Sequence, residues 1–180
     1  MTEHASLQIG DLAPPLELPD TAGRLTTLPF PGEAPATVVV WTSNHCPYAI
    51  AWHDRLMDVA RDYAEQGVRT VHVNSNDPER KPADSYEAMQ QRVRDEEWAC
   101  PYLHDDSQDA ARAWGPLTTP DVFVLDTDLR LRYRGAPDAD YDDPAQEASW
   151  MRAALDAVIS GGVPEPAETK PVGCSLKWKE

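Results

Sequence analysis

The feature that most constrains this sequence is a continuous apolar run that passes into a helical pattern at one cysteine–proline pair. Residues 37–42 read TVVVWT, and a β-branched run of this kind is typical of a central strand covered on both faces. From Pro47 onward, apolar residues recur at three- and four-residue steps, which predicts a helix to about residue 66 that ends at Gly67. Cys46 therefore lies where a buried strand leads into a helix.

The remaining pattern predicts an α/β fold with a central mixed sheet and helices on both faces. Further strands are predicted at residues 16–18, 24–28, 68–73, 100–104, 121–126 and 129–134, and further helices at residues 83–98, 105–115 and 143–160. The first two strands read as a hairpin, and the strand at 68–73 should run parallel to the strand at 37–42 through a right-handed crossover.

Three local details accompany this prediction. Asp84 or Ser85 is expected to cap the second helix, and Asp143 is expected to cap the last one, with Pro144 at its first position. In the last strand, the alternation of leucine and tyrosine with arginine predicts one buried face and one solvated face that carries the arginines, including Arg134.

Length and charge narrow the class of protein. The chain has 180 residues, so we expect one domain over residues 1–180, with a core at about 8–162 and an extended tail at 163–180. The formal net charge of −15 disfavours binding to nucleic acid or to an anionic membrane, because both require a cationic surface. The start of the chain has no signal-sequence pattern and no apolar run could span a bilayer, so we expect a cytoplasmic location.

The three cysteines are too widely spaced for a disulfide scaffold. Cys46 at a helix N-terminus would face free backbone N–H groups that favour the thiolate; the alternative is a buried structural cysteine. His45 could accept the thiol proton. Cys100, at an expected strand start, is predicted to be buried and inert. No metal is expected, because the cysteines and histidines form no short-spaced ligand pairs.

Four stretches resemble a known family. They are residues 10–14 (GDLAP), residues 44–48 (NHCPY) together with 74–77 (NSND), residues 119–126 (TPDVFVLD) and residues 173–178 (GCSLKW). The chain thereby resembles the thioredoxin-like, peroxiredoxin-type proteins grouped as alkyl hydroperoxide reductase and thiol-specific antioxidant, and within them an NHCPY subgroup with one active cysteine. The resemblance covers roughly residues 8 to 178 and implies a three-layer thioredoxin-like fold with an N-terminal hairpin extension.

The sequence departs from both parent patterns. Ala49 stands where thioredoxins have the second cysteine of Cys-x-x-Cys, and Val39 stands at the proline position of the peroxiredoxin loop. The arginine that peroxiredoxins place before the late strand is also missing, because Thr119 and Pro120 stand there. The complete mechanism of neither the thioredoxins nor the peroxiredoxins can therefore be assumed for this chain.

The resemblance implies a thiol oxidoreductase without a bound cofactor, in which Cys46 attacks a peroxide or a disulfide. Cys174 is the candidate resolving thiol, although it could also be a packed tail residue or pair with a second subunit or a partner protein. The implied substrate-binding residues are Ser43, Asn44, Pro47, Tyr48, Thr119 and Pro120, with a cis bond before the last of these. Tyr48 could equally belong to the core.

An external thiol, either a thioredoxin-like protein or a low-molecular-weight thiol, would regenerate the protein. Two alternatives remain open: thiol–disulfide exchange without peroxidase activity, and a redox-sensing or binding module with negligible turnover. A homodimer is compatible with the sequence.

Overall fold

The computed structural model describes residues 6–30 and 33–180. Its strands are β1 (Leu16–Pro19), β2 (Leu25–Leu28), β3 (Thr37–Thr42), β4 (Arg69–Asn74), β5 (Tyr102–His104), β6 (Asp121–Leu125) and β7 (Leu131–Gly135). Its α-helices are α1 (Pro47–Ala64), α2 (Tyr86–Asp95), α3 (Asp109–Trp114) and α4 (Ser149–Ile159), and short 3-10 turns cover Pro82–Asp84 and Pro144–Gln146.

The five-stranded sheet is mixed and has the order β5-β4-β3-β6-β7. Strand β3 lies at its centre, pairs parallel to β4 and antiparallel to β6, and is buried at all six residues. The predicted strand–helix–strand crossover and the predicted mixed sheet are therefore confirmed. The predicted hairpin also forms, as a separate two-stranded sheet of β1 and β2.

Alternate side chains of β3 belong to the two sides of the sheet. Val38 and Val40 pack with apolar residues of α1 and α4, whereas Val39 and Trp41 pack with residues of α3 and with Leu176 of the tail. This double coverage explains why β3 is apolar throughout rather than alternating. In the described part of the chain, no helix combines the length and the apolar character that a membrane crossing requires.

The second predicted helix begins later and ends earlier than the sequence suggested. Ser85 caps α2 by accepting a hydrogen bond from the Ala88 N–H, and the helix ends at Asp95. Asp84 belongs to the preceding 3-10 turn and is fully buried. It caps no helix, because its carboxylate is occupied by groups from the Cys46 loop and from β4.

Two other helices begin later in the structure than the sequence predicts. Asp143 caps the 3-10 turn Pro144–Gln146 through the Ala145 N–H, and α4 begins only at Ser149. The break lies at Glu147 and Ala148, which both have positive φ. The third helix likewise starts at Asp109 rather than near residue 105, because Gln108 is in the left-handed region.

The prediction that Arg134 faces solvent is wrong. Arg134 lies on edge strand β7, but its guanidinium is buried and donates to the Asp121 carboxylate on β6 at 2.9 Å. It also donates to the Leu7 carbonyl at 3.0 Å. The N-terminal segment covers this part of the edge strand, so the arginine is paired internally.

Candidate active site

Cys46 lies between β3 and α1, as the change of periodicity predicted. It is the N-cap residue of α1, with extended φ and ψ of −73° and 120°, and Pro47 follows at the first helical position. Its carbonyl accepts the Ile50 N–H at 3.0 Å, and its side chain is fully buried. The Cys46 Sγ atom lies 3.0 Å from the Thr119 carbonyl oxygen, to which the thiol donates.

The loop opposite Cys46 contains Thr119 and Pro120, joined by the predicted cis peptide bond. The Thr119 N–H donates to the Cys174 carbonyl at 2.8 Å, and the Cys174 N–H donates to the Thr119 carbonyl at 3.2 Å. These two bonds form an isolated antiparallel bridge. At Gly173, a Cβ atom would overlap the Thr119 carbonyl, so the tail can approach this closely only with glycine there.

Cys174 is therefore adjacent to Cys46 in space although the two are far apart in the sequence. Burial and the neighbouring Cys46 thiol together raise the pKa of the Cys174 thiol to about 11. Both cysteines are free thiols; Cys46 is buried, whereas Cys174 is partly exposed. The structure thus brings together a buried thiol at a helix N-terminus and a second, more accessible thiol.

Ser43 and His45 form a polar network behind Cys46. The Ser43 hydroxyl oxygen accepts the backbone N–H groups of His45 at 3.1 Å and of Cys46 at 3.2 Å. The Nδ1 atom of His45 contacts the buried Asp84 carboxylate and lies 2.7 Å from the Ser43 hydroxyl. Because a carboxylate only accepts, Nδ1 carries the hydrogen in this contact.

This assignment leaves the other ring nitrogen of His45 as an acceptor. The Nε2 atom is buried and has no hydrogen-bond partner among residues 6–30 and 33–180. The Asp84 carboxylate itself is well satisfied, since it also accepts from the Asn44 N–H at 2.6 Å and the Asn74 side chain at 2.9 Å. Sequence reasoning identified Asp84 only as a helix cap.

The side chain of Asn44 points into the scaffold. It donates to the Ala83 carbonyl at 2.8 Å and accepts from the Tyr102 hydroxyl at 2.7 Å and from Arg92 at 3.0 Å. These bonds hold the Cys46 loop against the segments that follow β4. In the structure Asn44 is placed to support the loop.

Pro47 and Tyr48 form the first turn of α1 beside Cys46. Pro47 is exposed, whereas Tyr48 is partly buried and packs edge-on against Tyr141 with ring centroids 4.6 Å apart. Tyr48 also lies against the core cluster on the α1 side of the sheet. This packing agrees with the core interpretation of Tyr48, and its role in substrate binding stays a prediction.

Cys100 is not part of this cluster; it lies just before β5. It is partly exposed rather than buried as the sequence predicted, because the chain before β5 leaves one side of it open to solvent. Desolvation by the surrounding protein still raises the pKa of its thiol to about 12. Among residues 6–30 and 33–180, no three His, Cys, Asp or Glu side chains are grouped as a metal ion would require.

A mixed sheet of this order, with a cysteine at the N-terminus of α1 and a cis-proline loop facing it, defines a thioredoxin-like fold with a thiol site. The chain belongs to the AhpC/TSA family, whose family model matches residues 9–134. No curated protein matches the sequence.

Solved structures share this fold. A hypothetical protein of Sinorhizobium meliloti is 35% identical, with a TM-score of 0.91 and coverage of 97% of each chain. An uncharacterized conserved protein of Geobacillus kaustophilus is 36% identical, with a TM-score of 0.87, covering 96% of this chain and 93% of its own. The peroxidoxin BcpB of Mycobacterium tuberculosis shares the fold at 22% identity and a TM-score of 0.60, over 86% of this chain and 97% of its own.

Proposed function

We propose that this protein is a two-thiol oxidoreductase that reduces hydroperoxides, with Cys46 as the nucleophile and Cys174 as the resolving thiol. The observation that carries the proposal is the pairing of Cys174 with the Thr119 backbone, which sets its thiol beside that of Cys46. In this family, a nucleophilic cysteine that has no second thiol nearby needs an external thiol to resolve its oxidised form. Here the second thiol is supplied by the chain's own tail.

The proposed reaction cycle has three steps. The Cys46 thiolate attacks the distal oxygen of a hydroperoxide, the O–O bond breaks, and the alkoxide takes a proton and leaves as an alcohol or water. Cys46 is now a sulfenic acid. The Cys174 sulfur attacks the Cys46 sulfur, an S–S bond forms and water leaves. An external dithiol then reduces the disulfide by two thiol–disulfide exchanges and is itself oxidised.

Two features of the site support the first step. The N-terminus of α1 offers backbone N–H groups to a thiolate at Cys46, since Pro47 occupies the first helical position and the next N–H groups have no partner within the helix. The contact of Nδ1 with Asp84 leaves the Nε2 atom of His45 as an acceptor without a partner in the described residues. In the resting site the Cys46 thiol donates to the Thr119 carbonyl, so His45 takes up the thiol proton only after the thiol leaves that carbonyl.

Thiol–disulfide exchange is the second candidate, and the same bridge favours it. An extended segment with a cysteine already lies along the Thr119 backbone, so this loop accepts such a segment in antiparallel pairing. In exchange chemistry, Cys46 would attack a substrate disulfide and Cys174 would release the reduced product, forming the same internal disulfide. The redox-sensor alternative has the same first oxidation but negligible turnover.

Stopped-flow measurement of the native protein with hydrogen peroxide and with a small model disulfide separates these functions. The wild type, Cys46→Ser and Cys174→Ser are compared, with Cys100→Ser as the matched control. We expect a fast reaction with peroxide that is lost only in Cys46→Ser, and a Cys46–Cys174 disulfide in the wild type by mass spectrometry. A reaction with disulfide alone favours exchange, and a peroxide reaction no faster than that of free cysteine contradicts peroxidase activity.

A further inference from the structure

The tail that carries Cys174 is held by a second set of contacts beyond the Thr119 bridge. Asn76 and Gln108, which we call the tail clamp, are both buried and lie in the loops that follow β4 and β5. Their side chains bind the backbone of Lys177 and Lys179. The proposed reaction above assigns no role to either residue.

Asn76 binds Lys177 through its side chain, and the backbone N–H of the next residue binds Lys177 as well. The Lys177 N–H donates to Oδ1 of Asn76 at 2.9 Å, and the Asp77 N–H donates to the Lys177 carbonyl at 2.8 Å. The Asn76 amide nitrogen donates in turn to the Asn74 side chain at 3.1 Å. Asn74 thus orients the side-chain amide of Asn76 and also donates to Asp84.

Gln108 binds the tail with both ends of its side-chain amide. Its nitrogen donates to the Lys177 carbonyl at 2.9 Å and to the Ser75 carbonyl at 2.6 Å, and its oxygen accepts the Lys179 N–H at 2.9 Å. Gln108 has a positive φ of 65° and is fully buried. A glutamine is uncommon in that backbone region, and here the conformation directs its amide at the tail.

Between the clamp and Cys174, Leu176 is buried in the core cluster that contains Val39 and Trp41. The tail is therefore held at two points: at Cys174 itself by Thr119, and beyond it at Lys177 by the clamp. A thiol held in this way reacts as a positioned neighbour, whereas a thiol on a free tail is limited by the effective concentration of a flexible linker.

We propose that Asn76 and Gln108 are positioning residues for the resolving step, because they hold the Cys174 thiol at Cys46. This inference rests on the proposed function, in which Cys174 resolves oxidised Cys46. It predicts that loss of the clamp slows formation of the internal disulfide without slowing the oxidation of Cys46.

The test compares the wild type with Asn76→Ala and Gln108→Ala. A chain ending at residue 175 serves as an additional variant that keeps Cys174 and both clamp side chains but removes the clamped segment. Gln91→Ala is the matched control, since the described hydrogen bonds of that exposed side chain lie within α2. Three quantities are measured on proteins shown to be folded by circular dichroism. They are the rate of Cys46 oxidation by hydrogen peroxide, the amount of sulfenic acid trapped by dimedone, and the equilibrium constant of the internal disulfide in a glutathione buffer.

We expect the clamp variants and the shortened chain to oxidise Cys46 at least as fast as the wild type. Sulfenic acid should accumulate, as trapped by dimedone, and the equilibrium constant for the internal disulfide should fall about tenfold or more. Gln91→Ala should match the wild type in both measurements.

An unchanged disulfide equilibrium in both clamp variants and in the shortened chain would overturn the positioning role while leaving the proposed function intact. Absence of the internal disulfide in the wild type would overturn both. Were the clamp variants to lose Cys46 oxidation in step with disulfide formation, the clamp would be a general structural support and the inference would also fail.

Discussion

The carbonyl oxygen of Thr119 accepts both the backbone N–H of Cys174, at 3.2 Å, and the thiol of Cys46, at 3.0 Å. One backbone atom of the cis-proline loop thus binds the two cysteines of the site. Since the Thr119 N–H also donates to the Cys174 carbonyl, the tail cannot shift along the loop without breaking two hydrogen bonds.

Replacing Gly173 with alanine should release the tail from Thr119. The added Cβ would overlap the Thr119 carbonyl, and overpacking of this kind costs roughly 1–3 kcal/mol when it must be absorbed. We expect faster proteolysis after residue 163 and less internal disulfide after mild oxidation, measured by mass spectrometry. Gly162→Ala is the control, because a Cβ there stays at 3.4 Å from its nearest neighbour; equal proteolysis of the two variants would contradict the prediction.

Asp84→Asn should slow the reaction of Cys46 with hydrogen peroxide. The amide can donate to Nδ1 of His45, which moves the ring hydrogen to Nε2 and removes the free acceptor. General-base assistance is worth about a hundredfold or more, so we expect a decrease of about ten- to a hundredfold in the second-order rate constant at pH 7.

Asp138→Asn controls for loss of a buried carboxylate, because Asp138 pairs with Arg55 and Trp52 instead. If both variants slow the reaction equally, the effect arises from lost stability rather than from His45.

His72→Phe should make the protein less sensitive to acid. The His72 ring is fully buried, neither of its nitrogens has a hydrogen-bond partner in the described residues, and burial lowers its pKa well below 6.5. Below that pH the unfolded state binds a proton that the folded state does not, so stability is full above about pH 6.5 and is lost as the pH falls, by up to about 1.4 kcal/mol per pH unit.

Urea unfolding at pH 7.5 and at pH 5 measures this effect. The difference in unfolding free energy between the two pH values should be smaller for His72→Phe than for the wild type. Asp121 acts in the opposite direction, since burial raises its pKa to about 6, but it is common to both proteins and cancels in the comparison. An identical pH dependence of the two proteins would show that His72 does not resist protonation.

Cys100 should resist alkylation in the native protein. With a pKa raised to about 12 by burial, only about one thiol in ten thousand is ionised at pH 8. We expect iodoacetamide at that pH to leave Cys100 unmodified in peptide maps and to modify it fully after denaturation in guanidinium. Native labelling of Cys100 at the rate of a free cysteine would contradict an inert thiol with a raised pKa.

Most of the strands and helices were predictable because their signals are local. The β-branched run of β3 and the three- and four-residue spacing of α1 are properties of neighbouring residues, and both elements lie where expected. The starts of α2, α3 and α4 were less predictable. Each helix begins directly after Ser85, Gln108 or Ala148, whose non-helical backbone conformations are not visible in the periodicity of the sequence.

Arg134 and Asp84 show the limit of pattern reading for charged residues. Alternation along β7 indicated a solvated arginine, but the N-terminal segment and Asp121 enclose it. Asp84 has the sequence context of a helix cap, yet its carboxylate contacts Asn44, Asn74 and His45 instead. In both cases the deciding partners are distant in sequence, so no local signal identifies them.

The sequence by itself determined that Cys46 starts a helix after a buried strand, and it identified Cys174 as a second thiol in the tail. Only the tertiary structure decided that the two meet. Their proximity depends on the backbone of Thr119, on the missing side chain of Gly173 and on the clamp at Lys177. Backbone hydrogen bonds and close approach between distant segments have no residue-type signature, so they follow from the fold and not from the pattern of the chain.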